Sequence, residues 1–248
     1  KGPDAIINAS CNMELYDIET ASEVFRRGIY TGPAVLQDDP LEMINQVRSK
    51  VAGYLAEGKF VVTLGGEHTV SVGAIQAHVE RFDNVSILHL DAHSDRRDEY
   101  GGTKYSHACV MARAGEMTDN IVSVGIRSMD STETASLDRA RLFTANEIRK
   151  SGTWMQDAVS QLSDNVYITL DLDVFDSSIM PSTGTPEPGG LGWYEVLDLL
   201  ELAAKNKNIV GFDIVELCPT PNPAPDFLAA KLTYKLLSLI FASPLRVQ

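Results

Sequence analysis

Five short runs of nearly unbroken apolar residues punctuate the chain: 59–64 (KFVVTL), 85–90 (VSILHL), 121–126 (IVSVGI), 166–172 (VYITLDL) and 209–215 (IVGFDIV). A strand with one wet face alternates apolar and polar residues. A run without alternation is covered on both faces, as in a parallel sheet between helices. Between the runs, 41–57, 70–81, 155–162 and 193–205 carry apolar residues at helical spacing, and 224–241 closes the chain in the same way. The pattern predicts an α/β fold: a single three-layer α-β-α domain over 1–248 with a mostly parallel sheet. The Pro/Gly-rich stretch 181–192 (PSTGTPEPGGLG) is short and follows a strand, which predicts an ordered loop and no domain boundary. Residues 1–35 carry the least pattern, with one helix expected over 19–27.

Composition narrows the partners. The chain has 248 residues, 44% of them hydrophobic, and 21 Lys+Arg against 34 Asp+Glu give a formal charge of −13. Its basic pairs, Arg26/Arg27, Arg96/Arg97 and Arg139/Arg141, are short and flanked by acids, so nucleic acid is not an expected partner. A small cation or a metal ion suits the charge better, although acidity of this size mostly serves solubility. No stretch approaches the roughly 18 consecutive apolar residues of a membrane span, and no membrane partner is expected. The opening Lys1-Gly2-Pro3-Asp4 lacks the layout of a secretory leader. Cys11, Cys109 and Cys218 are odd in number and widely spaced, which suits a reducing compartment. The expected location is the cytoplasm.

In open α/β sheets, sites collect at the carboxyl ends of strands. After the 85–90 run comes DAHSD (91–95); if the extended geometry persists, the period of two puts Asp91, His93 and Asp95 on one side. Asp171 and Asp173 repeat the spacing after the fourth run, and GGEH (65–68) supplies His68 after the first. One such Asp taken alone is more often a helix cap or turn residue. Clustered carboxylates in a buried pocket repel one another strongly without a cation, so together they point to a metal site. Four carboxylates and two imidazoles exceed the needs of one tetrahedral zinc. They suit two divalent ions, and the oxygen-rich donor set favours Mn²⁺.

The runs GGEHT (65–69), DAHSD (91–95), DLDVFD (171–176), STGTPEPGG (182–190) and GFDIVE (211–216) resemble, in order, those of the ureohydrolases, the family of arginases and agmatinases. The resemblance covers most of the chain from about residue 30 and implies the arginase-like fold with two Mn²⁺ ions. It implies that His68 and Asp95 complete one ion's shell and His93 and Asp173 the other's, with Asp91 and Asp171 bridging. A hydroxide held between the ions would attack a guanidinium carbon and release urea. Glu216 corresponds to the carboxylate that holds the guanidinium, and His107 to a proton relay near the leaving amine. A homo-oligomer, trimeric or hexameric, is also implied.

The stretch after DAHSD, 96–107 (RRDEYGGTKYSH), lacks the Asn that arginases use to hold the α-amino and carboxylate groups of arginine. It resembles instead the prokaryotic and archaeal agmatinases, as does GTPEPGGL with Glu187. The expected reaction is agmatine to putrescine and urea, the substrate being a small cationic guanidino compound. Glu187 and the acids Asp98 and Glu99 are candidates for a rim facing the distal ammonium. Arginine, guanidinobutyrate and formiminoglutamate are the rival substrates. A non-catalytic metal-binding relative and a binuclear phosphoesterase are rivals of other classes. Ser182 stands where the family usually has Gly, and predicts a strained loop if that Gly supplies a left-handed backbone angle. His89, two residues before Asp91, is expected as a hydrogen-bonded core histidine or a donor to that carboxylate. His78 and Cys109 are expected to be structural.

Overall fold

A computed structural model places residues 1–242. In chain order the helices are α1 (Gly2–Ser10), α2 (Pro40–Ala56), α3 (Val70–Arg81), α4 (Val110–Gly115), α5 (Ala145–Ile148), α6 (Trp154–Ser160), α7 (Trp193–Asn206) and α8 (Ala224–Ala242). The strands are β1 (Val61–Leu64), β2 (Val85–Leu90), β3 (Ile121–Ile126), β4 (Leu142–Thr144), β5 (Asn165–Asp171) and β6 (Asn208–Val215). They form one six-stranded sheet in the order β1-β6-β5-β2-β3-β4, with every pairing parallel.

Both faces of the four central strands are dry, as their unbroken apolar runs require, while the edge strand β1 is half-buried. Leu88, Leu90, Ile168, Leu170, Phe212 and Ile214 pack with α1, α6, α7 and α8 on one side. Val85, Ile87 and Tyr167 pack with α2, α3 and α4 on the other. From β2 the chain proceeds outward through β3 to β4; from β5 it proceeds the opposite way to β6. The strand order therefore reverses between the neighbours β2 and β5, and the crevice beyond their carboxyl ends is the place where α/β sheets bind ligands.

The N-terminal segment departs from the sequence reading. The helix expected over 19–27 is absent: an Asp17↔Ser22 bridge and a single 3₁₀ turn, Val24–Arg27, take its place, while an unforeseen α1 begins at Gly2-Pro3-Asp4. Asp17 causes the difference. Its Oδ1 accepts the Thr20 N–H at 2.9 Å and the Thr20 hydroxyl at 2.6 Å, and the buried Lys235 of α8 donates to both of its oxygens at 3.0 and 2.8 Å. A tertiary ion pair thus overrides a helical spacing. β4 and α4 also went unpredicted, because three and six residues respectively are too short to show a period. Among the described residues no helix is long and apolar enough to cross a membrane.

His78 is structural, as expected, and fully buried. Its Nδ1–H donates to the Ala74 carbonyl at 2.8 Å. Its Nε2 has no partner and faces Gly211 of β6, where any Cβ would overlap the ring. Protonation would bury an N–H without an acceptor, so burial lowers its pKa to about 4 from 6.5. The unfolded chain then takes up this proton first as pH falls. Stability owed to neutral His78 is complete above about 6.5 and drains away between there and about 4, by about 3 kcal/mol. Denaturant unfolding of wild type and His78→Leu at pH 7 and pH 4 checks this: the variant should lose about 3 kcal/mol less, whereas equal losses would exclude His78 as the source.

Candidate metal centre

The site is built on two tiers at the carboxyl end of the sheet. The lower tier is a row of polar side chains set in register across five strands: Thr63 beside Asp213, Asp213 beside Thr169, Thr169 beside His89, and His89 beside Ser123. Residues in register on adjacent strands point to the same face, here the face covered by α2, α3 and α4. Two residues further along, Asp91, the first residue after β2, and Asp171, the last of β5, form the upper tier.

The lower tier orients the upper one. The Thr169 hydroxyl donates to Asp213 Oδ1 at 2.8 Å, and Tyr167 donates to Asp213 Oδ2 at 2.8 Å. With its own proton so committed, Thr169 Oγ1 accepts from His68 Nε2–H at 2.8 Å. His68 Nδ1 is left with a lone pair and no hydrogen bond, although it is buried. It faces Asp95 Oδ2 at 3.0 Å, Asp91 Oδ2 at 3.2 Å and Asp171 Oδ2 at 3.4 Å. A second group lies alongside, with His93 Nδ1 2.9 Å from Asp173 Oδ2 and 3.6 Å from Asp91 Oδ1. Asp91 thus turns one oxygen to each group. Donors held about 2.1 Å from a divalent ion and at right angles to one another are about 3 Å apart, so these spacings fit donors sharing an ion.

His89 Nε2–H donates to Asp91 Oδ2 at 2.8 Å and its Nδ1 accepts from Ser123 at 3.1 Å. It is both a satisfied core histidine and a donor to the central carboxylate. Asp95 does not reach its place through strand periodicity. β2 ends at Leu90, and Asp95 sits in the left-handed region at φ 51°, where its carbonyl accepts the N–H groups of Met111 and Ala112 at the start of α4. Asp173 likewise lies on a 3₁₀ turn, Leu172–Val174, beyond β5. Its Oδ1 accepts Ala92 N–H at 2.9 Å. Glu216 is the other non-glycine site residue at positive φ, 68°. Such strain costs about 1–3 kcal/mol per residue and gathers at functional sites.

Electrostatics make the case for a cation. Burial, and then the charges of Asp173 and Asp91, push Asp171 well above the carboxylate range. Burial and the Asp91 charge raise Asp95 to about 7. His68 rises despite its burial because Asp171, Asp91 and Asp95 surround it. His93, opposed by burial but paired with Asp173 and Asp91, rises to about 11. Without metal the cluster offsets its charge with protons, and divalent ions would replace them. Two groups of donors have ligand atoms lying within 4.8 Å of one another: His68, His89, Asp91 and Asp95, and Asp91, His93 and Asp173. The orphaned His68 Nδ1 amid carboxylate oxygens is what a resident divalent ion requires, and the set fits one.

Around this centre, Glu216 Oε1 accepts the His68 backbone N–H at 2.7 Å. Burial raises Glu216 to about 7. Glu187 Oε1 lies 4.0 Å from His93 Nε2. His107 Nδ1 lies 4.0 Å from Glu67 Oε2, both half exposed. Asp98, expected on the rim, is exposed and pairs with the buried Arg113 at 2.7 Å. Glu67, unremarked in the sequence, is half exposed beside His107. Ser182 is buried and does not adopt a positive φ, so the expected loop strain is absent. Its hydroxyl meets Thr220 Oγ1 at 3.2 Å. Cys109 is a buried free thiol, as expected. Thr169, Asp213, Tyr167 and Arg127 escaped assignment, yet the first three carried a signal: polar side chains inside strands dry on both faces.

Fold and site together define an α/β protein with a buried carboxylate–imidazole cluster able to hold metal. The chain belongs to the Arginase family, which it matches over residues 1–238. It is 36% identical to the N(1)-aminopropylagmatine ureohydrolase of Synechocystis, covering 95% of this chain and 81% of that one. It is 38% identical to the protein of the same name from Thermus thermophilus, covering 96% and 83%. The crystal structure of the agmatine ureohydrolase of Thermoplasma volcanium superposes with a TM-score of 0.88 at 34% identity, covering 97% and 83%.

Titration calorimetry with Mn²⁺ separates the two tiers. Asp171→Ala should lose at least one equivalent of metal, whereas Thr169→Val should keep the stoichiometry and bind about 10–100-fold more weakly. Full occupancy in Asp171→Ala would contradict its expected role as a ligand.

Proposed function

We propose that this protein is a manganese-dependent ureohydrolase that acts on a cationic alkylguanidine without a carboxylate. The observation that carries the reading is Glu216 held beside the Asp/His cluster by the His68 backbone N–H, which puts a guanidinium-binding carboxylate next to a metal-type pocket. Agmatine, giving putrescine and urea, is one substrate that fits. N1-aminopropylagmatine, giving urea and the corresponding triamine, is the other, favoured by the names of the relatives at 36% and 38% identity.

When bound, two Mn²⁺ ions supply an acidified water as nucleophile and offset the carboxylate charge. Asp91 and Asp171 would be the ligands shared by the ions. His68 and Asp95 would complete one shell, His93 and Asp173 the other. Glu216 pairs with the planar guanidinium and fixes its carbon over the cluster. The carbon–nitrogen bond to the alkyl chain breaks, urea departs, and the amine takes a proton. His107, half exposed at the mouth, hands it over. Glu187, 4.0 Å from His93, and Glu67, 4.0 Å from His107, attract the distal ammonium groups, while a carboxylate there meets like charge.

Urea release from the Mn²⁺-loaded protein decides the substrate. The expected order is N1-aminopropylagmatine and agmatine well ahead of arginine, guanidinobutyrate and formiminoglutamate; best activity on a carboxylate-bearing compound would refute the reading. His107→Ala should retain its metal and lose roughly 10²-fold or more in kcat; an unchanged kcat would remove it from the proton path.

A further inference from the structure

We propose that Arg127 is a positioning residue that clasps two loops of the site together, the turn bearing Asp173 and the loop bearing Glu187, so that one ligand group and one side of the mouth are set by a single side chain. This rests on the reading of Asp173 as a metal ligand and Glu187 as part of the substrate mouth.

The residue stands just past a built irregularity. Gly125 of β3 has φ 95°, and the β3–β4 register shifts between Val124 and Ile126. A Cβ at Gly125 would press on Val174 Cγ2 at 2.8 Å and on the Asp91 carbonyl at 2.9 Å. Beyond this bulge the N–H groups of Arg127 and Ser128 donate to the Ala92 carbonyl at 2.8 and 3.0 Å. The Arg127 backbone is thereby fixed to the DAHSD segment.

Its guanidinium then meets six carbonyls. Nη2 reaches Asp173 O at 2.6 Å, Glu187 O at 2.9 Å and Phe175 O at 3.2 Å. Nη1 reaches Gly125 O at 3.1 Å and Val174 O at 3.4 Å, and Nε reaches Pro188 O at 3.2 Å. Five N–H donors serve six acceptors, so at least one bond is shared. No hydrogen bond goes to a carboxylate, leaving the charge facing backbone dipoles on three segments. A planar fork can do this, whereas an ammonium with three donors cannot. Asp176 ties the same two loops from outside, its Oδ2 accepting the N–H groups of Gly189 and Gly190 at 2.8 and 3.1 Å. Phe175 bridges to Leu191 between these ties.

The test compares whole wild-type protein with Arg127→Lys. Mn²⁺ titration, urea kinetics on agmatine and N1-aminopropylagmatine, and limited proteolysis of the metal-free protein are the readouts. Arg127→Lys should keep its first Mn²⁺ equivalent and bind the second about 10–100-fold more weakly. At saturating Mn²⁺ its KM should rise while kcat changes less, and cleavage within 181–192 should speed up. Wild-type affinities for both ions, an unchanged KM and unchanged cleavage would overturn the proposal. If Arg127→Lys fails to unfold cooperatively, Asp176→Ala, which cuts the outer tie, must show the same loss of the second ion and faster cleavage; wild-type behaviour there overturns it equally. Should the wild type itself take up fewer than two ions or release no urea, the functional reading fails, while the proteolysis comparison still reports on the clasp.

Discussion

The structure depends on one electrostatic constraint: carboxylates from two adjacent parallel strands converge in a space nearly closed to water. Asp91 and Asp171 follow in-register partners of β2 and β5, so the sheet itself forces them together, and Asp95 and Asp173 join them. At short range in a low-dielectric interior such repulsion is far larger than any single packing term. Positive charge must enter: the surrounding carboxylates raise the proton affinity of His68 and His93, and divalent ions would take the place of such protons. The arrangement makes sense as a receptacle that metal completes.

Everything beneath the cluster keeps it from relaxing. A row of hydrogen-bonded polar side chains crosses the sheet one pleat below the ligands and holds His68 Nε2 and Asp91 Oδ2. Two residues, Asp95 and Glu216, are held in left-handed conformations, a cost that only surrounding structure can sustain. Arg127 fastens the remaining turn to the loop at the mouth. These devices bring groups from four strand ends and two loops to one place.

Much of this was legible in the sequence because the signals were periodic. The unbroken apolar runs gave five of the strands, since burial on both faces leaves no room for alternation. The strand-end acids and histidines stood out because they follow those runs. What stayed hidden was set by tertiary contacts. The 19–27 segment has helical spacing, but Asp17 answers to Lys235, 218 residues away. Asp98 reads as a free surface acid, but it also neutralises a buried Arg113. The left-handed angle at Asp95 and the carbonyl partners of Arg127 have no sequence mark, because neither follows from residue type. Thr169 and Asp213 were readable in principle as polar interruptions of dry strands; their partnership needed the register of β5 on β6.

The claim at the centre is that the cluster houses a pair of divalent ions sharing Asp91 and Asp171. Anomalous diffraction from crystals grown with Mn²⁺ tests it most directly. The account predicts two peaks about 3.5–4 Å apart, one beside His68 and Asp95 and the other beside His93 and Asp173, with Asp91 and Asp171 between them. A single peak, or two peaks that do not share those carboxylates, would contradict it.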